Sequence, residues 1–347
     1  MSYSDLPREN IVALGPHRIM AICKELDWQP YRVVQILKWL WQKGAESFEE
    51  MTNISQDCRR LLASRFSIDR LNVISAQRAS DGTTKFHLKL RDGIGIESVL
   101  IPDGGRFTVC VSTQAGCPLQ CSFCRSGRTH FIRNLYWYEI VDQVVAVTKT
   151  TNRRPTNVVF MGMGEPFLNY EQVIIALSVL NADYGLKIGA RHLTVSTAGI
   201  PHRIRAYAHI PLQARLAVSL NAADQLTRSK LMPISHRYPL KQVLDAVRQF
   251  VSITRRRVTF EYVLIEGIND RPHDALSLRK ILSGMPCKVN LIPLNPLPGS
   301  RLRAPTPERI RQFADFLYPS MSTVTIRRSR GISVSAGCGQ LAATTLP

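Results

Sequence analysis

The sequence is short of acid. Its 347 residues hold 26 Asp and Glu against 45 Lys and Arg, and the difference, 45 − 26, is a formal net charge of +19. Such an excess favours a polyanionic partner, because neutralised phosphates release counterions. The arginines recur through the whole chain rather than in one tail. Long apolar runs are missing too. None is uncharged over the roughly 20 residues that cross a bilayer, so no helical membrane span and no membrane partner are expected. The first residues, MSYSDLPREN, are polar and lack the apolar segment of a secretory leader. Cysteine is scarce, eight in the chain, and unevenly spaced. That pattern argues against a disulfide framework. Three cysteines crowd into one short loop, which reads as metal ligation in a reducing cytosol. Low-complexity tracts and short-period repeats are also absent. A cytoplasmic monomer is the expectation.

What is present is enough apolar sequence, 45%, for one large domain and a small one. Residues 1–75 read as a helical, RNA-adaptor-like domain. In it YRVVQILKWLWQKG (31–44) sets Val34, Leu37 and Trp41 on one apolar face and stops at glycine. Residues 76–102 read as a short β extension, in which KFHLKL alternates and Asp92–Gly93 signals a turn.

Residues 103–347 alternate β-like runs with helical patterns. The strands are FTVCVS (107–112), NVVFMG (157–162), HLTVST (192–197), RLAVSL (215–220), VTFEYVLI (258–265) and KVNLIP (288–293). Thr306 and Pro307 mark the start of a last helix, and TVTIRR (323–328) follows it. Repeated βα units imply a parallel sheet covered by helices. Six of them suggest an α/β fold built as a partial, open (β/α)6-type barrel. A closed eight-fold barrel and a doubly wound sheet stay open as alternatives. In all three, ligands sit at the C-terminal ends of the strands.

Directly after the first of these strands comes CPLQCSFC, with Cys117, Cys121 and Cys124. Soft thiolates select zinc or iron–sulfur clusters. Structural zinc normally takes four ligands in two pairs, whereas a four-iron cluster on three cysteines keeps one iron free for another ligand. The loop therefore predicts a [4Fe-4S] cluster.

The motif C-x-x-x-C-x-F-C in this position resembles the radical S-adenosylmethionine (SAM) superfamily. That resemblance implies that the free iron chelates SAM, and that an electron from the cluster splits it. GMGEP (162–166), TVSTAG (194–199), SLNA (219–222), NLIPLNPLPG (290–299) and AGCGQL (336–341), with TVCVSTQAGC before the cluster, resemble the RlmN/Cfr family of RNA adenine methyltransferases over nearly the whole chain. The resemblance implies a SAM pocket made by Gly164, Glu165, Ser196, Ser219, Leu220, Asn221 and Asn295. Asn221 stands where the family usually has His, and GISVSAGCG lacks the acidic residues the family usually has before its last cysteine.

A lone cysteine is more often a small buried hydrophobe, and Cys23, Cys58 and Cys287 are read so. By resemblance Cys338 is a methyl carrier and Cys110 its resolving partner through a disulfide, with Glu97 as proton acceptor. The chemistry gives a reason for a carrier: carbons 2 and 8 of adenine are electron-poor and cannot attack a sulfonium methyl, whereas a thiolate can.

The implied partners are RNA, with 23S rRNA first and tRNA second, and a flavodoxin-type electron donor. Carbon 2 is the expected target, supported by Pro166. Carbon 8, a radical SAM enzyme on a peptide or metabolite with Cys110 and Cys338 on an auxiliary cluster, and an RNA-binding module with a structural metal are the alternatives. Arg153–Arg154, Arg255–Arg257, Arg301, Arg303, Arg327 and Arg328 are candidates for gripping phosphates around an extruded base, with Arg32, Lys38 and Lys43 on the helical domain.

Overall fold

In the computed structural model, residues 8–318 and 323–345 are described. The polar N-terminal stretch read above lies mostly outside them. The helical region opens with β1 (Glu9–Asn10) and continues through α1 (Pro16–Glu25), α2 (Tyr31–Trp41) and α3 (Gln56–Arg65) to β2 (Phe66–Ser67), which pairs with β1 in parallel. Helix α2 buries Ile36, Leu37, Trp39, Leu40 and Trp41. Val34, expected on that face, is instead 43% exposed. The buried stripe runs through 36, 37, 40 and 41, and Val34 falls outside it.

The helical region is clamped to the rest of the chain. The guanidinium of Arg70 pairs with Asp142 at 2.5 Å, with both side chains nearly buried. Leu71 N–H donates to the other oxygen of Asp142 at 2.8 Å. Trp41 packs on Trp137 with ring centroids 5.4 Å apart.

Strands β3 (Asn72–Arg78), β4 (Thr84–Lys89) and β5 (Ile94–Asp103) form an antiparallel meander. It begins at Asn72 and does not stand apart: β5 pairs with β6 (Arg106–Cys110), so the extension and the core share one sheet. After β6 come β7 (Gln114–Ala115), α4 (Arg125–Arg128) and β8 (Arg133–Asn134), where β7 and β8 make a small antiparallel ladder that flanks the cysteine loop.

Then the chain alternates. Helix α5 (Trp137–Thr151) leads to β9 (Asn157–Phe160), α6 (Tyr170–Asn181) to β10 (Leu193–Thr197) and α7 (Pro201–Tyr207) to β11 (Arg215–Ser219). Helices α8 (Gln225–Leu231) and α9 (Leu240–Thr254) precede β12 (Val258–Leu264), α10 (Pro272–Leu282) precedes β13 (Cys287–Pro293), and α11 (Pro307–Leu317) precedes β14 (Val324–Ile326). The Thr306 hydroxyl caps α11 by accepting from Arg309 N–H, with Pro307 in the first turn, as its sequence predicts. Finally β15 (Thr344–Thr345) pairs antiparallel with β5.

Strand order is β14-β13-β12-β11-β10-β9-β6-β5-β4-β3. From β6 to β14 every pairing is parallel. This is the mixed α/β, mainly parallel architecture that the alternation predicts, open rather than closed: among the described residues β14 and β6 do not pair. The strands could be read directly because both their faces are covered. Val158, Phe160, Val195, Val218, Phe260, Leu264, Val289 and Leu291 are fully buried, and such strands appear as short unbroken apolar runs.

Candidate active site

Parallel strands put every strand end on one side, and the motif loops all follow strand ends. One cavity on that side is lined by Cys110 of β6, Gly164 and Glu165 after β9, Ser196 of β10, Ser219 and Asn221 at the end of β11, Glu261 of β12, Asn295 after β13 and Arg327 after β14, together with Cys117, Cys121, Cys124 and Cys338. Cys110 and Arg327 come from opposite ends of the parallel series, so the sheet curls until its two edges face one space. Including its open mouth, that space is about 1270 Å³.

Gly164 and Glu165 are set by backbone geometry. Gly164 has φ +97°, and a Cβ there would lie 2.5 Å from Gln114 Cβ, so the tight turn requires glycine. Gln114 Oε1 accepts from Glu165 N–H at 2.8 Å. The Glu165 carboxylate then accepts from Phe167 N–H at 2.9 Å and from Ala198 N–H at 2.7 Å, tying the β9 loop to the β10 loop. Burial pushes its carboxyl up, against the pull of the bonds from Ala198, Thr197 and Phe167. These three bonds leave the carboxylate one further lone-pair direction.

Asn221 sits at φ +59°, a left-handed conformation that Asn tolerates better than most residues. Its Oδ1 accepts from Val263 N–H at 2.9 Å, and its Nδ2 lies 3.2 Å from the Met232 sulfur. The amide therefore bridges the β11 and β12 loops while lining the cavity. Leu220 does not line it. That side chain is fully buried in the main core, and only its backbone serves the site.

The cluster loop is built for sulfur ligation. Cys117 accepts N–H bonds from Leu119 and Gly164, and Cys124 from Gly127 and Ser126. Without a metal, burial pushes Cys117 up to about 12, and Cys121 and Cys124 also rise. Three such thiols facing one space become stable thiolates only against a cation. Among the described residues no three His, Cys, Asp or Glu side chains close on a single point, as one metal ion requires. The donor set fits a multi-iron cluster, which takes each thiolate at a separate corner.

The C-terminal segment is strapped across the cavity. Asn295 Nδ2 donates to the Cys338 carbonyl at 3.0 Å. Arg125 N–H donates to Gly339 O at 2.7 Å, and Ser126 Oγ to Leu341 O at 2.6 Å. Glu97 Oε2 accepts from Ala342 N–H at 2.9 Å while its other oxygen pairs with Lys85 at 3.0 Å. Glu97 shares a face of β5 with Val99 and Ile101, which line the cavity, but sits at its margin. Cys338 is exposed as a residue while burial of its thiol, which lines the cavity, raises its pKa, and Cys110 lies buried in the cavity wall. Burial raises the Cys110 thiol to about 12, with Cys338 as the next contributor. Both are free thiols, as are all eight cysteines, so the expected disulfide is not formed in this structure.

The radical SAM superfamily matches residues 111–278, and the ribosomal RNA large subunit methyltransferase N-terminal domain matches residues 9–68. A dual-specificity RNA methyltransferase RlmN from Desulfosudis oleivorans is 46% identical, covering 90% of this chain and 85% of that protein. The chain belongs to the RlmN family of radical SAM RNA methyltransferases. An RlmN from Anaeromyxobacter dehalogenans is 42% identical over 98% of this chain and 93% of its own. The crystal structure of a radical SAM methyltransferase from Sphaerobacter thermophilus superposes with a TM-score of 0.91 at 40% identity, covering 96% of this chain and 99% of that one.

Within this RlmN-family site the basic candidates divide. Arg153 and Arg154 precede β9, and Arg255–Arg257 precede β12, so they lie at the end of the sheet away from the cavity. There Arg153 stacks on Phe107 and Arg256 donates to Ala214 O. Arg301, Arg303, Arg327 and Arg328 follow β13 and β14 on the cavity side. No carboxylate on β12 was anticipated. Glu261 is nonetheless a cavity residue, 4.0 Å from Arg327 and hydrogen-bonded by Asn290 Nδ2 at 2.8 Å. An acid inside the apolar run VTFEYVLI was its signal, since buried strands rarely hold one without a purpose.

Proposed function

We propose that this protein methylates carbon 2 of an adenine in 23S rRNA, with tRNA as a second substrate, through a methyl group carried on Cys338. The observation that carries this reading is the meeting of Cys110 and Cys338, distant in sequence, on the wall of the cavity that also holds the three cluster cysteines. When bound, a [4Fe-4S] cluster supplies the electron that splits SAM and so generates a hydrogen-abstracting radical. The chain holds it with Cys117, Cys121 and Cys124. Glu165, with Gly164, Ser196, Ser219, Asn221 and Asn295, frames the space for SAM.

Cys338 is the exposed residue of the pair, so it is the one that accepts the methyl. Its S-methyl group would give up one hydrogen atom to that radical and bond through the remaining CH2 to the ring carbon. Glu97 would take the ring proton, and the unpaired electron of the adduct would return to the bound cluster. The Cys110 thiolate would then attack the Cys338 sulfur and break its bond to the CH2 carbon, which takes up a proton and leaves with the RNA as the new methyl group. The sulfur–sulfur bond formed in that step is transient, and an external low-potential flavodoxin-type donor resets it. Cys110 needs no solvent access, only contact with Cys338.

The test is mass spectrometry of nucleosides from 23S rRNA and tRNA incubated with the reconstituted protein, SAM carrying a labelled methyl, and reductant. Label in 2-methyladenosine supports the reading. Label in 8-methyladenosine moves the reaction to the other ring carbon, and no labelled nucleoside rejects the function.

A further inference from the structure

Arg228 is completely buried. It lies on α8, whose N-terminus is fixed by the Asp224 carboxylate accepting from Thr227 N–H at 2.8 Å. Its Nε donates to Leu220 O at 3.1 Å, and Nη1 to Ser235 Oγ at 2.7 Å. Nη2 donates to Ala198 O and to Ser219 O. Every one of these acceptors is neutral. Among the described residues no carboxylate is paired with this guanidinium, whereas the nearly buried Arg70 has Asp142 and Lys85 has Glu97.

An isolated buried charge is costly unless something of opposite sign stands nearby. The charged neighbour that acts on Arg228 is the sulfur of Cys121. Burial drags the guanidinium down to about 10, against the pull of the Cys121 sulfur, and reciprocally Arg228 favours the Cys121 thiolate. Packing holds the segment that follows Arg228 against the cysteine loop. Ser122 N–H donates to Leu231 O at 3.0 Å, and Leu231 and Met232 pack with Cys117, Leu119 and Cys121. Arg228 is not among the residues that line the cavity.

We propose that Arg228 is the buried counter-charge of the iron–sulfur cluster, a positioning residue that stabilises the cluster's more negative, reduced state. The inference rests on the cluster reading of Cys117, Cys121 and Cys124. A cluster on three thiolates is anionic, and taking up an electron from the external reductant adds one negative charge. A fixed cation beside one ligand sulfur favours that state and raises the reduction potential. Arg228 also spans the carbonyls of Ala198, Ser219 and Leu220, so the same side chain holds the β10 and β11 loops against the cluster.

The experiment compares the full-length protein with Arg228→Lys and Arg228→Gln, each reconstituted anaerobically with iron and sulfide. Iron content is measured first, and then the midpoint of cluster reduction by the electron paramagnetic resonance of the reduced state. Charge compensation predicts a more negative midpoint for Arg228→Gln and one close to wild type for Arg228→Lys. A Gln variant that holds no iron beside a Lys variant with the wild-type midpoint supports the same conclusion. Equal midpoints in all three proteins, equal shifts in Lys and Gln, or loss of iron from both would show that Arg228 acts only as a structural fork. A wild-type protein that takes up no iron would remove the cluster reading itself, and the counter-charge with it.

Discussion

Asn295 donates its side-chain amide to the main-chain carbonyl of Cys338 at 3.0 Å. The loop after β13 thereby holds the C-terminal cysteine over the cavity, which Asn295 also lines. One such hydrogen bond contributes about 1 kcal/mol, close to a fivefold change in a local opening equilibrium. Asn295→Ala should therefore speed amide hydrogen exchange across 337–341 by about fivefold while exchange in β12 stays as in wild type. Unchanged exchange over 337–341 would show that this bond does not hold the strap.

Glu97 anchors the strap through Ala342 N–H, and the proposed mechanism makes it the proton acceptor. The two roles separate in Glu97→Gln, whose amide oxygen still accepts from Ala342 but cannot take up a proton. The variant should melt below wild type, because the largely buried Lys85 loses its carboxylate partner, and at a temperature where it is still folded it should lose about 100-fold or more in methylated RNA, the usual worth of a general base. Wild-type turnover by Glu97→Gln would assign the proton to another group.

The Arg70–Asp142 pair docks the helical region on α5, and both partners are nearly buried. Removing one partner of such a pair leaves an uncompensated charge and costs about 3–5 kcal/mol. Arg70→Ala should lower stability by that order in denaturant unfolding. A change under about 1 kcal/mol would place the docking energy elsewhere, in the Trp41–Trp137 contact.

Burial raises the Cys110 thiol to about 12, so at neutral pH it is almost wholly protonated and the attacking thiolate is rare. The sign follows: the thiolate fraction grows about tenfold per pH unit until the pKa is reached. In a single-turnover experiment the step that frees RNA from the protein should accelerate about tenfold between pH 7 and 8, and again between 8 and 9. A rate independent of pH over that range would mean that the Cys110 thiol is not the attacking group, or that another step limits release.

Much of this architecture was legible because burial leaves marks in sequence. Strands covered on both faces, such as VTFEYVLI and KVNLIP, are unbroken apolar runs, and each of the six so read is a strand of the parallel sheet. The cysteine loop was equally plain, because three thiols at that spacing have few other uses. Local pattern failed where tertiary contact decides. The β7–β8 ladder has two residues on each side and no periodicity to detect. Val34 lies at the edge of the buried stripe of α2, where cover depends on a packing partner that local pattern does not show. Leu220 has its role in its backbone and not its side chain. Glu261 went unnoticed although an acid amid buried β residues was visible. Arg228 was never singled out, since nothing in SLNAADQLTRSK shows that its guanidinium folds back under the β10 and β11 loops.

The most direct test of the account is the fate of RNA on Cys110→Ala. In the proposed mechanism Cys338 accepts the methyl and bonds to the base, and Cys110 acts only afterwards, so this variant should stop with protein and RNA joined through a Cys338–methylene–adenine link. A thioether of that kind survives urea and thiol reductant, and it should carry one labelled carbon from SAM. Cys338→Ala should keep its iron and form neither adduct nor methylated RNA. Denaturing electrophoresis of Cys110→Ala with labelled SAM and RNA should show the adduct as a shifted, labelled band that nuclease trims to the protein. Free methylated RNA released at the wild-type rate by Cys110→Ala, with no such band, would contradict the carrier mechanism.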